Sequence, residues 1–352
     1  MSNEALEVPM MGQQDTQPGN TVFDFSLIDN PTPAENCGLL TVKTANAWIE
    51  DAKSRPAPRM LFDKLWFEGE LCIMFADTNL GKSILAVQIA DAISRGEAMP
   101  GFRVEAEKQR VIYMDFELSD KQFETRYCDS FANHYRFSDN FLRVEINTDS
   151  DNPEDATNEE LLNASMEQTI AETGAKVLIV DNITYLTKET EKAKDALPLM
   201  KSLKSLKNKY GLSILVLAHT PKRNLSHPLT RNDLQGSKML INFCDSAFAI
   251  GESYRDKRLR YIKQIKQRNC ESVFDAENVI VCEVSKPDTF LQFQFLEYGR
   301  EKDHLRSPED EQKDRAQLID QAKQLSAEGK SQREVAKQLQ ISLSTANTYI
   351  NK

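Results

Sequence analysis

The chain has 352 residues, with 44 Lys and Arg against 54 Asp and Glu, for a net charge of −10. Its 40% hydrophobic and 28% charged content is globular, and its length allows two structured regions plus tails. Collagen-like, coiled-coil and wholly disordered chains are excluded, and the longest apolar runs (71–76, 177–180, 214–218) are strand-length, too short for a membrane span. The acidity rules out an all-over nucleic-acid-binding coat but leaves room for local basic surfaces.

In chain order, residues 1–40 read as a flexible acidic tail. The opening MSNEALEVPMMGQQ carries no basic-then-apolar signal, so nothing in it argues for export. The six cysteines are scattered, with no CxxC, and are expected as buried small hydrophobes in a reducing cytoplasm. From 41 to 298 strands alternate with helices, which predicts an α/β core with a mainly parallel sheet flanked by helices. The predicted strands are 71–75, 110–115, 141–146, 177–181, 213–218, 246–250, 259–264 and 291–296. Residues 82–95 form the clearest helix, with Ile84, Val87 and Ile89 on its apolar face and Gly96 as C-cap. A second helix is expected at 159–172. Residues 299–313 read as a charged linker, and 314–352 as a small helical domain.

The strand at 71–75 runs into Ala76-Asp77-Thr78-Asn79-Leu80-Gly81-Lys82-Ser83 and then into the helix. This is a P-loop pattern with Ala at the first Gly position. Gly81 lets backbone N–H groups and the helix N-terminus approach phosphate oxygens closely. Lys82 places a point charge on the outer phosphates, and the Ser83 hydroxyl ligates Mg²⁺. Ala76 fits only with ordinary negative φ. The apolar strand 177–181 ends in Asp181, placed to hold Mg²⁺ through its waters. The two motifs together predict binding of Mg²⁺ and ATP.

With these motifs the stretch from about 56 to 298 resembles RecA-like P-loop ATPases of the DnaB and plasmid RepA hexameric helicase type. The segment Tyr113-Met114-Asp115-Phe116-Glu117-Leu118-Ser119, followed by Gln122 and Arg126, is similar to a strand-end motif whose glutamate polarises the attacking water, which implies that role for Glu117. A carboxylate at a strand end beside the P-loop suits a general base; the plainer alternative is a helix-capping or ion-pairing role. Leu217-Ala218-His219-Thr220 ends a strand where these families carry a γ-phosphate sensor, implying that role for His219, against a structural histidine. The basic loop after it, with Lys222, Arg223 and Arg231, corresponds to a channel loop that holds single-stranded DNA; otherwise it is a solvated surface loop. Ile262-Lys263-Gln264-Ile265-Lys266-Gln267-Arg268-Asn269 resembles an element whose Lys and Arg reach a neighbouring subunit's ATP site. That implies Lys266 and Arg268 as trans catalytic groups in a homo-oligomer, expected as a hexamer. Two apart on an extended segment, they share one face. The alternative is a cation-rich edge strand.

The end of the chain resembles the helix-turn-helix of resolvase-type DNA-binding domains. Ser331, with Glu334 three residues on, opens its second helix. By the resemblance, Ser344, Thr345, Asn347 and Thr348 face a major groove while Lys330 and Arg333 meet phosphates. A protein-docking three-helix unit is the alternative. The resulting expectation is an ATP-hydrolysing motor on DNA, a replicative helicase of a plasmid or other mobile element, with an ATP-gated DNA-binding regulator as the rival.

Overall fold

The structure, a computed structural model, describes residues 35–37, 40–147, 158–183, 193–220, 223–234 and 237–352. It forms two compact units, 1–57 and 58–352. In the first, strands Glu35–Cys37 and Leu40–Val42 pair antiparallel ahead of helix α1 (Ala45–Lys53). Thr44 N-caps α1, its side chain accepting from the Ala47 N–H.

The second unit is built on a nine-stranded sheet. In chain order its strands are β1 (Leu71–Ala76), β2 (Val111–Asp115), β3 (Phe141–Val144), β4 (Val177–Asp181), β5 (Ser213–His219), β6 (Ser246–Glu252), β7 (Leu259–Lys266), β8 (Val279–Ser285) and β9 (Gln292–Gly299). Their spatial order is β9-β8-β7-β6-β1-β5-β4-β2-β3. The six strands from β6 to β3 are parallel, and β7, β8 and β9 extend the sheet antiparallel. Strands buried on both faces read as continuous apolar runs, and β1 and β4 do so, every residue of each being buried.

Helix α2 (Lys82–Arg95) packs on one face, where Leu85, Ile89 and Ile93 join Phe62, Trp66 and Phe293. On the other, α4 (Asn158–Thr173) and α5 (Ala193–Tyr210) contribute Met166, Ile170, Leu199 and Leu203. Between β2 and β3 lies the short α3 (Asp120–Arg126), opened by a Ser119–Gln122 capping box; α6 (Ser237–Phe243) precedes β6. This is a mainly parallel α/β sandwich of the P-loop type, as the sequence predicts.

Four features differ from expectation. Strand Glu35–Cys37 and Leu40 fall within the expected tail, 1–40, whose other residues, 1–34 and 38–39, lie outside the described ones. β8 is absent from the predicted strands, and it places β7 between β6 and β8, so the basic segment is interior and not an edge. The sheet's edges are β9 and β3. The segment 299–313 is not a bare linker. It holds a 3₁₀ turn, Glu301–His304, with both end residues buried, and then the start of helix α7 (Pro308–Ala327). Ser307 and Asp310 form a capping box around Pro308 at the first turn, a start signal embedded in a charge run.

Helices α8 (Gln332–Gln338) and α9 (Leu343–Ile350) complete a three-helix module around Ala322, Leu325, Val335, Ala336 and Ala346. Ser331–Glu334 is the expected capping box.

Candidate nucleotide site

The parallel strands bring the predicted residues to one end of the sheet. β5 lies between β1 and β4, with His219 level with Ala76, and Asp181 of β4 is level with Asp115 of β2. The C-terminal ends of β1, β5, β4 and β2 therefore carry the P-loop, His219, Asp181 and Glu117 side by side, the position where open α/β sheets bind ligands.

The loop itself is shaped by backbone chemistry. Ala76 keeps strand geometry and is fully buried, as a methyl there requires. Its carbonyl accepts from Thr220 N and Lys82 Nζ, both at 3.0 Å. Asn79 (φ 63°) and Gly81 (φ 92°) are left-handed, so the chain turns back on itself before α2. A Cβ on Gly81 would come within 2.9 Å of the Phe293 ring, and only glycine satisfies both demands. Asp77 turns its side chain onto the Thr78 N–H, and Leu80 is buried under the loop.

Lys82 is 6% exposed. Its ammonium donates to the carbonyls of Ala76 and Asp77 and to His219 Nδ1 at 3.1 Å. Burial pushes its pKa down, and the negative charges of Asp181, Glu117 and Asp77 counteract that. An ammonium only donates, so His219 Nδ1 is the accepting nitrogen and the proton sits on Nε2. That Nε2 faces Glu117 Oε1 at 3.5 Å. The His219 contact is the main cause holding the Glu117 carboxyl below its ordinary pKa, against the opposing effect of burial. Asn182, which the sequence reading does not single out, donates from Nδ2 to Glu117 Oε1 and lies 3.1 Å from His219 Nε2.

Asp181 is 1% exposed. Its Oδ2 accepts from Tyr113 O–H at 2.6 Å, while Oδ1 is buried without a hydrogen-bond partner. Burial raises its pKa to about 6; Ser83 and Tyr113 pull it down, and the charges of Glu117 and Asp115 push it up. A buried carboxylate oxygen left unpaired beside a P-loop serine is the donor set Mg²⁺ takes, with phosphate oxygens and water filling its octahedron. Thr220 Oγ1, just past the His219 strand end, and Arg126 Nη1 are also buried without partners. The sequence motif contains this arginine without giving it a task; its charge reaches Glu117 from the end of α3 and also lowers its pKa. Ser83, Asp181, Lys82 and the loop N–H groups thus fit a magnesium nucleotide. Among the described residues no cluster of three or more His, Cys, Asp or Glu forms a metal cage.

The remaining predicted residues lie elsewhere. β6 runs parallel to β1, with Ser246 level with Cys72, while Lys266 is level with Ala247 on antiparallel β7. Lys266 and Arg268 therefore sit at the sheet end away from the chain's own P-loop. Lys266 Nζ donates to the carbonyls of Ile241 and Cys244, capping the end of α6, and Arg268 pairs with Asp245 at 3.1 Å while remaining half exposed. Lys222 lies outside the described residues. Arg223 does not present a cation to DNA: its side chain is 7% exposed, with the guanidinium near Asp233 and on the His227 carbonyl. Arg231 is exposed in the short turn Arg231–Asp233.

In the C-terminal module Ser344, Asn347 and Thr348 are exposed on α9 and Thr345 is partly covered. Thr345 Oγ1 bonds Ser342 Oγ, and Asn347 Oδ1 accepts from Gln332. Lys330 is half-buried and donates to Gln338, and Arg333 is exposed.

A family model described as an AAA domain matches residues 39–224, a little over half of the chain. No curated protein matches the chain.

Proposed function

The chain belongs to the AAA domain family of P-loop ATPases, and from that premise we propose that it is a DNA-acting motor built as a ring of identical subunits, with strand separation in the replication of a plasmid or other mobile element as its task. The observation that carries the hydrolytic part is the chain of contacts Lys82–His219–Glu117 beside the unpaired Asp181 oxygen. Bound Mg²⁺ supplies charge neutralisation at the phosphates. Lys82 leaves its loop carbonyls for the phosphates, and His219, freed from the ammonium, reports on the γ-phosphate. Glu117, kept ionised, takes the proton of the attacking water.

The ring is supported by the placement of Lys266 and Arg268, which are far from their own P-loop and so could serve only a neighbour's; Lys266 would first have to leave the carbonyls of α6. DNA contact is supported by exposed Arg231 on the loop after the sensor strand and by the three-helix module with Lys330, Arg333, Ser344, Asn347 and Thr348 at its surface. The test is ATP turnover with and without single-stranded DNA across protein concentrations. Stimulation by any single strand, at concentrations where the protein assembles, is the expected result. Turnover indifferent to single strands, or answering only to particular duplexes, would refute the motor.

One observation favours a second reading, an ATP-gated DNA-binding regulator. Helix α7 is tied to the ATPase body through Asp314, which accepts from Tyr254 O–H and pairs with Arg306. Arg306 N in turn donates to Leu225 O on the loop that follows β5. The loop after β5 thus touches the residue that leads into α7, a contact through which a nucleotide-gated DNA reader would be coupled.

A further inference from the structure

We infer that Arg143, on edge strand β3, is a positioning residue for Glu117. This rests on the reading of Glu117 as the group that activates water. Glu117 stands on a turn, 115–119, between β2 and α3, and a turn this short does not by itself hold a carboxylate still. Arg143 is level with Tyr113 of β2 and reaches over that turn. Its Nε donates to Asp115 Oδ2 at 2.9 Å, its Nη2 to the Leu118 carbonyl at 2.7 Å and its Nη1 to Asp120 Oδ1 at 2.8 Å. The guanidinium carbon lies 4.7 Å from the centroid of the Phe123 ring, and Glu145 also pairs with the guanidinium.

The other oxygen of Asp115 completes the clamp. Oδ1 accepts the N–H of Glu117 at 3.2 Å and of Leu118 at 3.0 Å, while the Phe116 N–H donates to the Asp181 carbonyl. One arginine thus fixes the turn from its carbonyl side directly and from its N–H side through Asp115. Asp115 is 3% exposed and adds to the negative charge that raises Asp181, so the arginine is also its counter-charge. The flat five-donor fork matters. A lysine has three donors as well, but they radiate from a single nitrogen and could not span acceptors as far apart as Asp115, the Leu118 carbonyl and Asp120.

The test is single-turnover ATP hydrolysis by the full-length chain with Arg143→Gln, Arg143→Lys, Glu117→Gln and the double variant Arg143→Gln/Glu117→Gln, alongside nucleotide affinity. A misplaced general base slows the chemical step by roughly 10- to 100-fold without weakening ground-state binding, so the rate falls while ATP affinity holds. Arg143→Lys falls between wild type and Arg143→Gln. The double variant is no slower than Glu117→Gln alone, because a positioning residue has nothing left to position. Full additivity of the two losses, or weakened ATP binding at an unchanged rate, would overturn the inference. If Arg143→Gln does not fold, Arg143→Lys carries the comparison, and a folded Arg143→Lys at wild-type rate also overturns it. A Glu117→Gln variant that hydrolyses ATP at the normal rate would instead remove the base assignment beneath it, which is a distinguishable outcome.

Discussion

Gly81 is held by two independent constraints, a φ of 92° and the Phe293 ring where a Cβ would have to sit. Ala at this position is expected to cost about 1–3 kcal/mol of stability, from left-handed strain plus displacement of a buried ring. It should also abolish nucleotide binding, which isothermal titration and urea unfolding of Gly81→Ala would measure separately. Asp181 gives a pH prediction. Its native pKa of about 6 lies above the ordinary 3.8, so between those values the native chain holds a proton that the unfolded chain has released. Stability from this group is therefore greatest in acid, falls as the pH rises to 6, and is flat above; the drop is of order 3 kcal/mol. In chelator, Asp181→Asn should remove this part of the slope and raise the melting temperature at pH 7, while Mg-ATP turnover is lost. A variant whose melting curve follows wild type across that window would contradict the burial argument. Gly81 was legible because the P-loop is contiguous in sequence, and Asp181 because an apolar strand run that ends in an acid marks a strand end. Arg126 and Asn182 were not, because their roles depend on which atoms meet across β2, β4 and β5. Arg223 shows the opposite error: a cation in a basic run reads as solvent-facing until a carboxylate and a carbonyl are seen to hold it inward.

At the scale of elements, the loop from 223 to 230 is held to the sheet by a buried ion pair. Lys263 Nζ bonds Glu301 Oε2 and the Leu229 carbonyl, and Glu301 Oε1 accepts the Leu229 N–H. Glu301 is 1% exposed, so losing its partner leaves an uncompensated charge in the interior. Lys263→Met is expected to cost about 3 kcal/mol or more, and the double variant Lys263→Met/Glu301→Gln distinctly less. Denaturant titration decides it, since equal losses would mean the pair contributes nothing beyond volume. The pairing also explains why this part of the fold reads poorly from sequence. Lys263 looks like one more cation on a basic strand, and Glu301 like one acid in a charged linker, yet they are each other's partner 38 residues apart. By contrast α2 and α8 are bounded by local signals, Gly96 and the Ser331 capping box, and sequence places the end of the one and the start of the other correctly. Helix α7 had such a signal in Ser307-Pro308-Glu309-Asp310, hidden by surrounding charge.

For the whole molecule, the question is whether one chain holds a complete catalytic site. On the proposed reading the chain's own contribution is Lys82, Ser83, Asp181, Glu117 and His219, gathered at the C-terminal end of the parallel strands, while Arg268 projects half exposed from the opposite end of the sheet. A head-to-tail ring brings opposite ends of neighbouring subunits together, whereas a two-fold dimer sets like against like. The two alternatives separate in a mixing experiment. Glu117→Gln subunits lack the base but keep Arg268; Arg268→Ala subunits keep the base but give their neighbour no arginine. Each alone should be nearly inactive, provided both assemble like wild type. Mixed in equal amounts in a ring, about a quarter of the sites pair an intact Glu117 with an intact neighbouring Arg268, and turnover should recover towards that fraction. If Arg268 serves only its ion pair with Asp245, Arg268→Ala alone stays active and mixing merely averages the two rates.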